Sequence, residues 1–423
     1  MTERLLTVTG PDLGRHLTRH GDLPLRGPAR PGSLGPLAEE IAASGLRGRG
    51  GGWFPTARKL TAVAAAARSR PPVVVVNAME GEPLSAKDAR LLAVAPHLVL
   101  DGATLAAETV GADRIVLAVP VGGGGPVLRN AMTEHAHRST DAVPTGDLGS
   151  VLRGVVAERA RRGIDPVLIE VVEGPDRFLS GQESALVGWI GGGPAIPTTK
   201  RPYEQGVSGR ATLVSNAETF AHLALIARHG ATWFRSVGTA DAPGTMLVSV
   251  SDPDIRVLEV PVGTLAGAVT GPTPAVLLGG YGGAWLPGDR ARELPLAPEP
   301  LQAAGAALGA GIVSALPYGA CGLRRTAAVA GWTAGQGARQ CGPCLFGLPA
   351  VAGDLALLAD GRATRADVDR LRARTGLLPG RGGCAHPDGV ARLTGSALRV
   401  FADEVEAHLH GHCVETLTYR RAS

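Results

Sequence analysis

Aromatic residues make up only 4% of this 423-residue chain, while 44% of it is hydrophobic, so alanine, valine and leucine have to build the core. No apolar run reaches the roughly eighteen residues of a spanning helix; even Pro71–Val76 stops at Asn77. A direct membrane span is therefore not expected. The opening MTERLLTVTGPDLG lacks the basic-then-apolar pattern of a signal peptide, so a cytoplasmic location is the expectation. The net charge of +4 comes from scattered basic residues, with few aromatics to stack on bases, and no nucleic-acid stripe is legible. Five unevenly spaced cysteines are too few for a disulfide framework in a chain of this size. Lysine is the scarcest of the charged residues: of 42 Lys and Arg, only Lys59, Lys87 and Lys200 are lysine. Where arginine serves as the generic cation, a retained lysine marks a place that needs a compact ammonium.

The length allows two or three domains. Residues 1–35 are rich in proline and glycine and read as an extended lead-in. LGPLAEEIAASGL predicts an amphipathic helix ended at Gly45, and KLTAVAAAARS predicts another. PPVVVVNA, RIVLAVPV and DPVLIEVVEG are short, sharply bounded apolar runs that read as buried strands. With the helical PHLVLDGATLAAETVGA between the first two, they predict an α/β domain with parallel strands over 36–240. From about Gly244 short strands alternate with turn residues, giving a small β-rich domain over 244–310. Residues 316–423 are largely helical, and Thr364–Asp367 forms a capping-box pattern at one helix start.

The chemistry starts at SGLRGRGGGWFPTARKL, Ser44–Leu60. Gly48, Gly50, Gly51 and Gly52 let backbone N–H groups approach a phosphate or a flat ring, because no Cβ stands in the way. Lys59 adds a point charge. The spacing is neither a dinucleotide G-x-G-x-x-G after a strand nor a P-loop, so the loop alone also fits an ordinary turn. NAMEGEPLSAKD, Asn77–Asp88, follows a buried strand directly, which puts polar groups at a strand's C-terminal end, where open α/β sheets bind ligands. SGQESAL and LVSNAET repeat the arrangement of a polar loop opening a helix.

Together these segments resemble the flavoprotein subunit of respiratory complex I and its relatives in NAD-linked hydrogenases and formate dehydrogenases. RGRGGGWFPTARK resembles that family's flavin loop and NAMEGEPLSAKD its N-A-D-E-x-E-P-G-T/S-x-K-D. GQESAL resembles its G-E-E-T-A-L, PTTKRPYE its P-R-x-K-P-P-F/Y-P, and VSNAET its V-N-N-V-E-T. The resemblance implies a flavin-binding α/β domain, a small β-grasp (soluble-ligand-binding) domain and a C-terminal helical bundle with an iron–sulfur site. It implies FMN contacts at Gly48, Arg49, Gly50, Gly51, Lys59, Asn77, Glu80, Ser215 and Asn216. Glu82, Glu183, Lys200 and Tyr203 would fall near NADH. No side-chain acid or base is implied, because hydride transfer needs stacking and orientation. The sequence departs from the family at Met79 for aspartate, Gln182 for glutamate, Trp53 for glycine, Ala62 for an aromatic, and Val121–Gly125 for a charged turn.

Cys341-Gly-Pro-Cys344 and Cys384-Ala-His386 form the notable cysteine set; C-x-x-C alone fits a redox pair or half a zinc site. In the family it corresponds to C-x-x-C-x-P-C and a later C-A-H that hold a 4Fe–4S cluster, with Ala338 here at the first ligand position. The resemblance implies a cluster on Cys341, Cys344 and Cys384, its fourth ligand being His386, Gln340, a water or thiolate, or a partner group. Cys321 and Cys413 are expected about 20 Å away, at the other end of the bundle. HLHGHC, His408–Cys413, has a composition that suits a metal, but it reads rather as a frayed helix end with exposed imidazoles.

The implied activity is NADH-dehydrogenase-like: hydride from NADH to FMN, then single electrons through the cluster to a ferredoxin-like or thioredoxin-like iron–sulfur subunit or a membrane redox partner. The alternatives are a ferredoxin-linked subunit that does not use NADH, and a cofactor-free structural partner.

Overall fold

The computed structural model describes residues 4–415 except 8, 26, 28–33, 68, 69, 125–146 and 253. Gly125 of the expected turn departure lies outside them. The described residues divide into two compact units, one within 4–249 and 256–264, the other within 250–255 and 265–415.

The first unit is built on four parallel strands: β1 (Val73–Asn77), β2 (Arg114–Pro120), β3 (Leu168–Gly174) and β4 (Thr212–Asn216), in the order β3-β2-β1-β4. The valine run of β1 is apolar throughout because both faces of the sheet are covered. Val74 and Val76 join one buried cluster with Leu213 and the helices Pro96–Val110 and Ala217–Phe234. Val73 and Val75 join another with Val214, Leu186 and Val187. The two helices named approach so closely that a Cβ on Gly102 would lie 1.8 Å from the Phe220 carbonyl oxygen. The helix Gly35–Ser44 ends on Gly45 at φ 70°, as its sequence predicts. From the centre the sheet grows one way through β2 and β3 and the other way through β4, so the order reverses between β1 and β4. Asn77 and Asn216 end these strands side by side, in register.

Segment 1–35 differs from the extended reading: Leu13–His20 is helical, with the Asp12 side chain accepting the Arg15 N–H. Its polar surface hides the period, and only Leu13 and His16 are buried. His16 donates from Nε2 to Asp101, which also takes Arg159 and Arg228, making a buried charged centre behind the sheet. These partners outweigh burial and hold the Asp101 carboxyl well below the usual range.

Acid should dismantle this unit. Burial lowers His97 and His20 to about 4. Each favours the folded state fully above its ordinary pKa of about 6.5, and that contribution is lost as pH falls towards 4. Glu218, lowered to about 2 despite burial because Lys87 and His222 face it, loses its contribution at still lower pH. Asp88, raised by burial to about 6, works the other way between about 4 and 6. The unfolding midpoint in urea should therefore fall from pH 7 to pH 4.5; a flat or rising profile would contradict the placement of these histidines.

Strands β5 (Thr245–Asp252) and β6 (Asp254–Pro261) follow at the passage between units. In the second unit β7 (Ala275–Leu278) pairs antiparallel with β8 (Ala284–Pro287) and β9 (Ile312–Ala315). The helices Gly322–Gly335, Leu348–Ala359, Arg365–Gly376, His386–Val400 and Ala402–Leu409 complete it. Trp285 of β8 keys sheet to helices: its indole N–H donates to Thr326 Oγ1 at 3.0 Å, and its ring meets Phe401 edge-on. The capping box at Thr364 and Asp367 is formed. Among the described residues no single helix is long and apolar enough to cross a membrane.

Candidate functional site

The glycine loop lies over the point where the strand order reverses. Its base is closed by Gly48 N–H to Phe54 O (2.9 Å) and Thr56 N–H to Leu46 O (2.9 Å). A Cβ on Gly50 would stand 3.2 Å from Asn216 Cβ, so any side chain there would push the loop off the strand ends. A Cβ on Gly52 would meet nothing within 4 Å. Trp53 adopts φ 47°, a left-handed conformation that costs an L-residue about 1–2 kcal/mol. Its ring lies under the Arg49 guanidinium, 4.5 Å from the ring centre. Arg49 is buried and turned inward, donating to the Pro243 and Thr245 carbonyls at 3.1 Å, while its N–H donates to Thr219 Oγ1. This side chain fastens the loop to the unit.

Beneath the loop lies a buried ionic centre. Lys87 Nζ donates to Asp88 Oδ1 (2.8 Å) and Asn216 Oδ1 (2.8 Å) and lies 3.0 Å from Glu218 Oε2. Burial opposes the charge on Lys87, but Asp88, Glu218 and Glu80 outweigh it and raise its pKa. Asn216 also donates to Asp88 and to the Asn77 carbonyl, and caps the helix Ala217–Phe234. Asn77 donates to the Gly181 carbonyl at 2.8 Å and accepts the Met79 N–H. Glu80 faces inward, accepting from Ser85 Oγ and from the N–H groups of Asp88 and Ala89 at the start of the helix Lys87–Val94. Ser215 is buried in β4. The expected FMN residues are thus collected at one strand-end crevice, although several of their side chains serve as scaffold. Sequence reasoning passed over Asp88 and Glu218; the signal available was Lys87, one of three lysines.

The expected NADH-side residues are placed less uniformly. Glu183 opens the helix Glu183–Ile190 and pairs with Lys59, whose Nζ also donates to the Val214 carbonyl at 2.7 Å. One expected FMN residue therefore neutralises one expected NADH residue. Gln182 keeps a structural role, capping that helix by accepting the Ala185 N–H and the Ser184 hydroxyl proton. Lys200 is exposed, Tyr203 is half-buried with its hydroxyl taken by Arg201, and Glu82 is half-buried. Met79 packs into the apolar cluster with Val172 and Trp189, close above Gly174.

Four buried polar atoms around the loop and the strand-end turn have no hydrogen-bond partner among the described residues: Arg49 Nε, Trp53 Nε1, Thr56 Oγ1 and Ser180 Oγ. Thr56 starts the helix that follows the loop, and Ser180 precedes the Gly181 held by Asn77. Unused donors beside a glycine loop and a lysine suit an anionic group carrying a flat ring, so the residues present fit FMN.

In the second unit Cys341 and Cys344 hydrogen-bond to each other, and Cys384 is close enough for charge on one to act on the others. Burial pushes Cys344 up to about 11 and raises Cys384. Cys341, although burial opposes it, is lowered by the Gly383 and Cys344 N–H groups. Three thiols on neighbouring turns fit an iron–sulfur cluster. Ala338 leaves the fourth corner without a cysteine, and His386 Nε2 bonds the Thr333 carbonyl at 2.9 Å. The remaining two cysteines meet elsewhere, as their helices predict. His408 departs from the frayed-end reading: it is buried, because Ala402–Leu409 packs this face inward, while His410 and His412 are exposed.

Residues 41–225 match the Nuo51 FMN-binding domain, and residues 324–408 match the NADH-ubiquinone oxidoreductase-F iron-sulfur binding region. The chain is 31% identical to the F subunit of the NADH-quinone oxidoreductase of Mycobacterium tuberculosis over 395 residues, 88% of this chain and 84% of the relative. It is 29% identical to NADP-reducing hydrogenase subunit HndC of Solidesulfovibrio fructosivorans, over 90% of this chain and 79% of that one. An NAD+-reducing NiFe-hydrogenase in the H2-reduced state superposes with a TM-score of 0.76 at 27% identity. That match covers 90% of this chain and 63% of the hydrogenase chain.

Proposed function

The chain belongs to the family of NADH-quinone oxidoreductase F subunits, and we propose that it is an NADH-oxidising electron-transfer subunit working with FMN and an iron–sulfur cluster. Bound FMN supplies the conversion of a two-electron hydride into single electrons. The chain's own residues position it. The glycine loop brings backbone N–H groups to the crevice, Thr56 and Ser180 offer hydroxyl donors, and Lys59 supplies positive charge shared with Glu183. Asn77 and Asn216 order the strand ends, locked by Lys87, Asp88 and Glu218. The observation that carries the reading is the glycine loop seated over Asn216 with unpartnered donors around it.

Cys341, Cys344 and Cys384 hold the cluster, with a fourth ligand that is not a cysteine of this chain. Cys341 and Cys384 are partly exposed, which gives an electron a short way to a protein at the surface. That acceptor is a ferredoxin-like or thioredoxin-like iron–sulfur subunit, linked onward to a membrane redox partner. The division into a flavin domain over 36–240, a β-grasp domain over 244–310 and a cluster-bearing helical domain over 316–423 belongs to the same reading.

Anaerobic addition of NADH should bleach the flavin band of the holoprotein; an unchanged spectrum would retire NADH as the donor in favour of a ferredoxin-linked route. Trp53→Gly belongs in the same titration. Glycine removes the indole at a position that already has the glycine-type backbone. The flavin should then be reduced faster, because bulk beside the ring is gone. Slower reduction would make Trp53 a stacking contact.

A further inference from the structure

The buried end of the second unit holds a donor group separate from the cluster cysteines. The ligand atoms of Cys321, His408 and Cys413 all lie within 4.8 Å of one another, and all three residues are buried. Cys321 Sγ is 3.3 Å from His408 Nε2 and 3.1 Å from Glu404 Oε2. Bond lengths of about 2.0–2.3 Å around a tetrahedral zinc place neighbouring donors about 3.5 Å apart, so these separations need little adjustment. A multi-iron cluster is wider and needs its thiolates further apart; a group this compact suits one ion.

The surroundings point the same way. His408 Nδ1 bonds the Leu358 carbonyl at 3.0 Å, which puts the proton on Nδ1 and turns the Nε2 lone pair towards Cys321. That is the orientation a metal-bound imidazole takes, with its second nitrogen held by a carbonyl. The Cys321 sulfur accepts the Arg324 N–H at the start of the helix Gly322–Gly335. Two thiols and a carboxylate around one imidazole have no cation among them.

We propose that Cys321, His408 and Cys413 bind a zinc ion, with Glu404 beside the fourth position, as a clamp that fastens the C-terminal segment to the start of the helix Gly322–Gly335. Two thiolates and an imidazole are the donor set zinc favours. The Cys321 N–H and the Arg324 side chain both bond Glu415, so the segment beyond Cys413 is drawn to the same helix start.

Zinc and iron per chain should be measured on full-length protein purified anaerobically and given zinc(II) chloride followed by desalting. One zinc per chain is expected, retained when Cys341, Cys344 and Cys384 are changed to serine. The Cys321→Ser/Cys413→Ser variant and His408→Ala should each lose at least tenfold of bound zinc, with FMN content unchanged. Exchange into cobalt(II) should give thiolate-to-cobalt absorption that these variants lack. If the variants do not fold, removing zinc from the unaltered protein with a chelator should lower its Tm, and zinc(II) alone should restore it. The proposal is overturned by zinc well below one per chain, by zinc lost only with the cluster cysteines, by a Tm indifferent to the chelator, or by a Cys321–Cys413 disulfide in the anaerobic protein. None of these readouts depends on NADH oxidation, so this site and the proposed activity fail separately.

Discussion

Lys87→Met is expected to cost about 3–5 kcal/mol of folding stability, the range for removing one partner of a buried ion pair. The Lys87 side chain is 1% exposed, and Asp88 and Glu218 are nearly as deeply covered. Methionine fills much of the volume but leaves two carboxylates and the Asn216 amide oxygen without their shared cation. The Arg49 guanidinium is the next positive group, its Nε 3.9 Å from Glu218 and its Nη2 already held by the Pro243 and Thr245 carbonyls. Since a domain's whole stability is about 5–15 kcal/mol, the first unit should unfold at much lower urea, and FMN should wash out. Arg153→Met is the control: its partners Asp147 and Glu173 are exposed or half-exposed, and such a pair contributes about 1 kcal/mol or less. Equal small losses in both variants would mean that the centre beneath the loop is not ionised as described.

Cys384→Ser is expected to remove most of the cluster iron and to slow NADH-driven reduction of a ferredoxin-like acceptor by roughly a hundredfold, since only two thiolates remain to ligate. Flavin bleaching by NADH should persist, because the crevice that collects Asn77, Asn216 and the glycine loop lies in the other unit. Ferricyanide reduction, which draws directly on the flavin, should also survive. The two acceptors separate loss of the electron path from loss of hydride transfer. Iron content and acceptor rate equal to those of the unaltered protein would show that Cys384 is not a ligand.

Much of the flavin unit was legible because its signals are local. The valine run between Pro72 and Asn77 is a buried parallel strand in any context, and Gly45 needs only its own φ to stop a helix. The glycine loop was legible as a place of close approach to a ligand, whereas the close approach that the fold itself requires is that of Gly50 to Asn216. Less legible was the direction each side chain takes. Arg49 and Glu80 stand in motifs that point to a ligand, yet the structure turns both inward, to carbonyls and to a helix start. A motif fixes residue type and spacing, whereas a buried charge goes wherever its hydrogen bonds can be completed. The helix Leu13–His20 escaped for a related reason: two buried residues in eight leave too faint a period to read.

Residue pattern by itself determined the parallel sheet, the loop at its strand ends, the three-cysteine set lacking a fourth member, and the family. These depend on neighbours within a few positions, or on motifs in fixed order. Only the tertiary structure decided that Lys87, Asp88, Glu218 and Asn216 form one centre, that Lys59 and Glu183 neutralise each other, and that Cys321 meets His408 and Cys413. Such contacts join residues as many as 131 positions apart in the first unit and 92 in the second. Close packing brings them together, and burial then makes each polar group find a partner.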